Sequence, residues 1–225
     1  MQIGLRGIAM NKTASFDVAD LARLAIVNDM DGFISTDFNL GGRIYQIEAV
    51  FMRRFDDTPT RDVFVGAVTN GDDYDDLRLF FAGEGMYLDY GFAYEDSGWR
   101  VSGYCPTDMW NKIIGPIQYG WGGTYALFNN EQKFRYDDYL QPVGSKTLNF
   151  FSSHESGNKQ RGALRYVHFK DFETGNLCAS FYPYAKGSES GVIDVVSGKF
   201  YPAVGEGVRI VPWTQLSTTE AWNEQ

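Results

Sequence analysis

The chain is short of several features that would assign a protein quickly. It has two cysteines, Cys105 and Cys178, in 225 residues, too few for a disulfide framework, and both read as free thiols. No stretch approaches about 18 consecutive apolar residues, so no helix spans a membrane. There is no basic cluster: 20 Lys+Arg stand against 29 Asp+Glu, a net charge of −9. That balance argues against nucleic acid as a partner, because Lys and Arg must replace the counterions of a phosphate backbone. Residues 1–8 offer neither a charged start followed by a long apolar core nor a cleavage site, so synthesis in the cytoplasm without a cleaved signal is expected.

Linkers and repeats are missing as well. The seven prolines are scattered, no Pro/Ser/Gly-rich run divides the chain, and no repeat appears at periods of about 20–50 residues. The expected organisation is an N-terminal arm over 1–14, one domain over 15–212 and a C-terminal tail over 213–225. Ordered arms would be explained by packing on neighbouring subunits.

Catalytic patterns are scarce. The only histidines are His154 and His168; the first lies in a polar loop and the second reads as a satisfied or exposed strand residue. No His/Cys cluster has zinc spacing. No Gly-x-Ser-x-Gly elbow is present, and neither cysteine has an identifiable base. Glu-x-Asp-x-Glu on one strand, which would put paired carboxylates on one face for glycoside hydrolysis, is not found. The chain is therefore expected not to be an enzyme. The run Asp72-Asp73-Tyr74-Asp75-Asp76 could supply hard oxygen ligands to calcium. It lacks EF-hand spacing, and the same residues suit a solvated turn.

What the chain has in excess is aromatic and glycine residues: 5 Trp, 14 Tyr, 17 Phe and 25 Gly. Aromatics fit pleated, half-buried surfaces and glycine punctuates turns. Short alternating or apolar runs recur with turn signals every 8–12 residues or so, the pattern of a sandwich or barrel. They comprise 24–27, 33–38, 44–51, 63–68, 77–82, 86–90, 124–128, 133–136, 146–151, 164–170, 177–181, 192–196 and 199–201. Leu24–Val27 and Phe33–Phe38 read as a hairpin about Gly32, and the residues Phe16–Leu24 have two readings, a turn or two of helix capped by Ser15 with Asp17 near its start, or an extended entry into the first strand. Fold class is all-β, an antiparallel β-sandwich with little helix.

One group of aromatics has two readings. Trp99, Tyr104, Trp110, Tyr119, Trp121 and Tyr125 fall in a glycine-rich stretch. Exposed indoles and phenols stack on sugar rings while nearby polar groups fix orientation, and the same residues are common in cores and subunit interfaces. Under the platform reading, Trp110 or Trp121 is removable without unfolding.

The C-terminal third carries a resemblance. Gly162 to Pro183 is similar to a strand–turn–strand unit of LamG-like, concanavalin-like jelly-roll domains. Gly191-Val192-Ile193-Asp194-Val195-Val196-Ser197-Gly198-Lys199-Phe200-Tyr201, running on to Gly205-Glu206-Gly207, resembles their closing motif, and Asp29 to Phe38 their opening segment. Such domains occur in tailed-phage virion proteins and in surface proteins of gut bacteria. The resemblance implies a concanavalin-like jelly roll and a non-catalytic structural or adhesion protein of a virion. Its implied partners are other virion proteins, copies of itself in a homo-oligomer, and host-surface carbohydrate. A carbohydrate-binding module of a bacterial surface is the alternative, and a glycoside hydrolase a third reading. Ser180-Phe181-Tyr182-Pro183-Tyr184 stands where members often carry Arg-Asp, and the matched positions are turn and core residues, so no binding residue is carried over.

Overall fold

The computed structural model describes residues 16–53, 63–67, 77–82, 85–90, 99–119, 123–135, 140, 146–152 and 161–223. Among them sixteen strands pair antiparallel throughout. One layer runs β10 (Glu131–Arg135), β9 (Gly123–Phe128), β8 (Trp110–Tyr119), β3 (Tyr45–Met52), β12 (Gly162–Asp171), β13 (Leu177–Lys186), β14 (Glu189–Asp194) and β15 (Lys199–Val204). The other runs β2 (Phe33–Asn39), β11 (Thr147–Phe150), β4 (Val63–Ala67), β5 (Leu77–Ala82), β6 (Gly85–Tyr90) and β7 (Trp99–Tyr104). β1 (Leu24–Asn28) lies between β12 and β16 (Val208–Pro212). The fold is the all-β sandwich expected from the strand pattern.

β15 joins the layers. Its first half pairs with β14, and Ala203 and Val204 pair with Ile34 and Phe33 of β2. At the opposite seam β7 meets the β9–β10 hairpin so closely that a Cβ on Gly103 would lie 2.2 Å from Phe128 Cδ1. Between the layers sits a core dominated by phenylalanine. Phe51, Phe64, Phe150, Phe151, Phe169 and Phe181 are wholly buried. Phe64–Phe151 and Phe150–Phe181 meet edge to face at 5.0 and 5.1 Å, the geometry that aromatic quadrupoles favour.

Most of the expected hairpins form. In the β9–β10 turn Asn129 and Asn130 both take positive φ, 47° and 67°, as a two-residue turn matched to strand twist requires. The closing motif has a local cause. Asp194 is buried and accepts from the backbone N–H groups of Ser180, Val196 and Ser197 and from the Ser197 hydroxyl. Gly198 follows at φ 73°, a conformation that costs glycine little.

Three expectations need correction. Leu24–Val27 and Phe33–Phe38 are not a hairpin: β1 pairs with β12 and β16, and β2 with β11 and β15. The link between them crosses from layer to layer, and buried Asn28 holds it by donating from Nδ2 to the Gly32 carbonyl at 2.7 Å. The helix spans only Val18–Leu21 and is capped by Asp17, whose side chain accepts from Ala19 N–H; Ser15 lies outside the described residues. Three strands, β7, β8 and β16, escaped the sequence reading. β8 contains Gly115-Pro116, which reads as a break.

β12 bears a bulge. Leu164 opposes Phe51 and Tyr166 opposes Val50, so Arg165 is the extra residue. Ala163 and Tyr166 then belong with Ala25, Val27, Val50, Met52 and Trp110, an apolar group on the outward face of the first layer. Residues 213–222 cover it through Trp213, Leu216 and Trp222. Trp110 donates from Nε1 to the Ser217 carbonyl at 3.1 Å and from its backbone N–H to Thr219 at 3.0 Å. The Arg165 guanidinium lies 4.1 Å from the Trp213 ring centroid and pairs with Glu220 at 2.6 Å. Residues 213–223 thus act as a clasp on this chain's own domain.

Truncation after Pro212 should expose wholly buried Trp110. The expected loss is comparable to a large core deletion, about 3–5 kcal/mol. Calorimetry of the truncated and full chains measures it, and equal unfolding midpoints would contradict the clasp.

Candidate functional site

Of the six aromatics singled out by the sequence, Tyr104 alone is shown fully presented to solvent, with 67% of its surface exposed. It ends β7, at the seam where the second layer meets β10. Two cavities of about 400 Å³ each flank it, within the roughly 300–1,000 Å³ range of small-ligand pockets. Pro106, Met109, Phe128 and Ala221 give one cavity apolar walls, and Glu131 lies at its polar side. Tyr87, Ser102 and Lys133 line the other. Glu131 and Lys133, two apart on β10, form an ion pair, so each of the cavities beside Tyr104 has one member of that pair in its lining.

The surroundings are held by hydrogen bonds that leave little slack. Asn111 is wholly buried and donates from Nδ2 to the carbonyls of Pro106 and Met109 at 3.1 and 2.9 Å, setting the loop after Tyr104. Asn129 donates to Asn111 Oδ1 at 2.8 Å and accepts from Lys112 N–H at 2.9 Å. Its amide thus braces the turn at the wall of the first cavity. Asn130 ties the same turn to the clasp through the Trp222 carbonyl at 2.8 Å. Cys105, next to Tyr104, points inward; burial pushes its thiol up to about 12 against the opposing pull of Arg53. It is a core residue, not a nucleophile.

Of the other five candidates, the two whose side chains are described, Trp110 and Tyr125, do not join Tyr104. Trp110 has no exposed surface, because the clasp covers it, so its expected role in a platform is corrected: it is part of the fold. Tyr125 is half-buried on β9 and is not among the residues lining either cavity. Trp99 and Tyr119 lie on β7 and β8 without described side chains, and Trp121 lies outside the described residues. The acidic turn at 72–76, the calcium candidate, also lies outside them, as does His154. Among the described residues no group of three or more His, Cys, Asp or Glu is placed to hold a metal. Sequence reasoning missed Glu131, Lys133, Tyr87 and Met109. Glu131 and Lys133 follow the Asn-Asn turn, a signal for a hairpin but not for a groove.

No protein-family model matches the chain, and no curated protein does. Solved structures do. A putative carbohydrate binding protein from Bacteroides ovatus superposes with a TM-score of 0.56 at 13% identity, over 84% of this chain and 59% of that one. A heptameric SAP-like pentraxin from Limulus polyphemus gives 0.48 at 10% identity, over 68% and 77%. The CBM40 of a Ruminococcus gnavus IT-sialidase, bound to α2,3-sialyllactose, gives 0.46 at 7%, over 62% and 87%. The fold is shared and the sequence is not. The chain spans 59% of the Bacteroides ovatus protein, and the likeness is one of concanavalin-like sandwich architecture.

Both thiols are free, Cys105 buried and Cys178 partly exposed. A thiol reagent at mild alkaline pH is expected to label Cys178 in the folded protein and both cysteines after denaturation. Native labelling of Cys105 would show that the Tyr104 loop opens.

Proposed function

We propose that this chain is a non-catalytic carbohydrate-recognition protein that binds saccharide in the groove around Tyr104. The observation that carries the reading is a largely exposed tyrosine between two cavities, with the Glu131–Lys133 ion pair contributing one member to each lining. A phenol ring stacks on the C–H face of a sugar, and paired polar groups meet its hydroxyls. The likeness to a putative carbohydrate binding protein adds support at the level of fold, where function does not follow automatically. Among the described lining residues Glu131 is the one carboxylate and it is paired with Lys133. Hydrolysis by the usual route needs two carboxyl groups, roughly 5–10 Å apart.

The wider role in this proposal is that of a structural or adhesion component of a tailed-phage virion, which docks on other virion proteins or on its own copies and holds host-surface glycan. Its support is the jelly-roll closing motif that ends in Gly205-Glu206-Gly207. A carbohydrate-binding module of a bacterial surface is the second reading, favoured by the Bacteroides ovatus neighbour. Mass spectrometry of purified phage particles separates the two.

Tyr104→Ala is expected to weaken binding on a glycan array about tenfold or more, about 1.4 kcal/mol. Folding stability should stay within about 0.5 kcal/mol, as for an exposed position. Glycan binding that survives the substitution, or an array with no bound glycan, would overturn the groove.

A further inference from the structure

The outward face of the first layer is covered in two places. The clasp hides Trp110, Val50 and Met52, and Phe16 with Leu21 of the short helix packs over Tyr182 and Ile193. The corner that remains carries polar groups: Glu48 on β3, Lys112 on β8, and Tyr166, His168 and Lys170 on β12.

Glu48 is asymmetric. Its Oε1 accepts from Tyr166 Oη at 3.1 Å and meets Lys112 Nζ at 3.0 Å, and among the described residues Oε2 has only Lys170 Nζ at 3.8 Å. That last separation is an ion pair beyond hydrogen-bond reach, so one carboxylate oxygen is spent and the other retains room for donors. Among the described residues Lys170 likewise has no partner closer than that 3.8 Å. His168 stacks on Tyr166 at 4.5 Å, and its Nδ1 is taken by Ser180 Oγ at 2.8 Å, which leaves Nε2 to meet a ligand. Burial would raise the Glu48 carboxyl, but Lys112 holds it below the ordinary value, and burial lowers His168. The corner at neutral pH holds one carboxylate, two ammonium groups and a neutral imidazole. Its local charge is 2 − 1 = +1 on a chain of −9.

We propose that this corner is a second ligand site, selective for a sugar ring that carries a carboxylate. Hydroxyls of the ring donate to the open Glu48 oxygen, and the ligand carboxylate accepts from Lys170. A neutral sugar leaves the surplus ammonium charge unmatched. A bare anion meets the Glu48 charge and satisfies none of its acceptor capacity. The site is independent of the Tyr104 groove, from which it differs in both its residues and its supporting strands.

The test uses the chain's two histidines. Full-length protein labelled at histidine gives two sets of imidazole signals, assigned with His154→Gln. Titration with galacturonate and with glucuronate is expected to move the His168 set saturably. For at least one acid, affinity should be at least tenfold above its parent hexose, galactose or glucose, and tenfold above inorganic phosphate. Lys170→Gln should abolish the preference for the acidic sugar without moving the free-protein His168 signals far, and Tyr104→Ala should leave the titration unchanged. Equal affinity for the acidic and neutral sugars, an equal response to phosphate, or a His168 set that no sugar moves would each overturn the site. Loss of the titration in Tyr104→Ala would overturn its independence.

Discussion

The extra residue in β12 governs much of this structure. β12 pairs with β3 along its length and with β1 and then β13 on its other side. Without the bulge, strict alternation would turn one half of the strand inside out. With it, Leu164, Val167 and Phe169 all reach the core, and Arg165 and Tyr166 both stay outside. One irregularity thus supplies the cation that pins the clasp and the phenol that holds Glu48.

The outward face of that layer is divided by what covers it. An apolar half, centred on Trp110, needs a lid, and residues 213–222 supply one with aromatic edges, an Arg165–Glu220 pair and two Trp110 hydrogen bonds. A polar corner, with Glu48, Lys112 and Lys170, has no such lid among the described residues. Arg165 against Trp213 and Glu220 is partly buried. Such a pair is worth more in that setting than an exposed one such as Glu131–Lys133, since solvent screens less of it.

The strand pattern was legible because turns and alternation are local. The β12–β13 and β14–β15 hairpins rest on Asp171, Gly175, Asp194 and Gly198: Asp171 caps Thr174, Asp194 caps Val196 and Ser197, and the two glycines take positive φ, all within four residues. The 28–32 link was misread because a Gly-containing loop between two strands looks the same whether the chain turns back or crosses over. The outcome is set by where Asp29 N–H finds the Gly207 carbonyl, a contact across almost the whole chain. Trp110 was misjudged for a similar reason. Trp110 and Tyr104 look alike in sequence, and a segment about 110 residues further on decides which of them stays wet.

The sequence by itself determined an all-β sandwich, most of its hairpin turns and its closing motif. These follow from side-chain periodicity and from turn residues that act on their neighbours. The tertiary structure alone decided which outward face is sealed, where the layers join, and that Tyr104, not Trp110, stands in a groove. Those outcomes depend on burial and on charge pairs between residues far apart in the chain, such as Arg165 and Glu220 or Glu48 and Lys170, and no local pattern encodes their meeting.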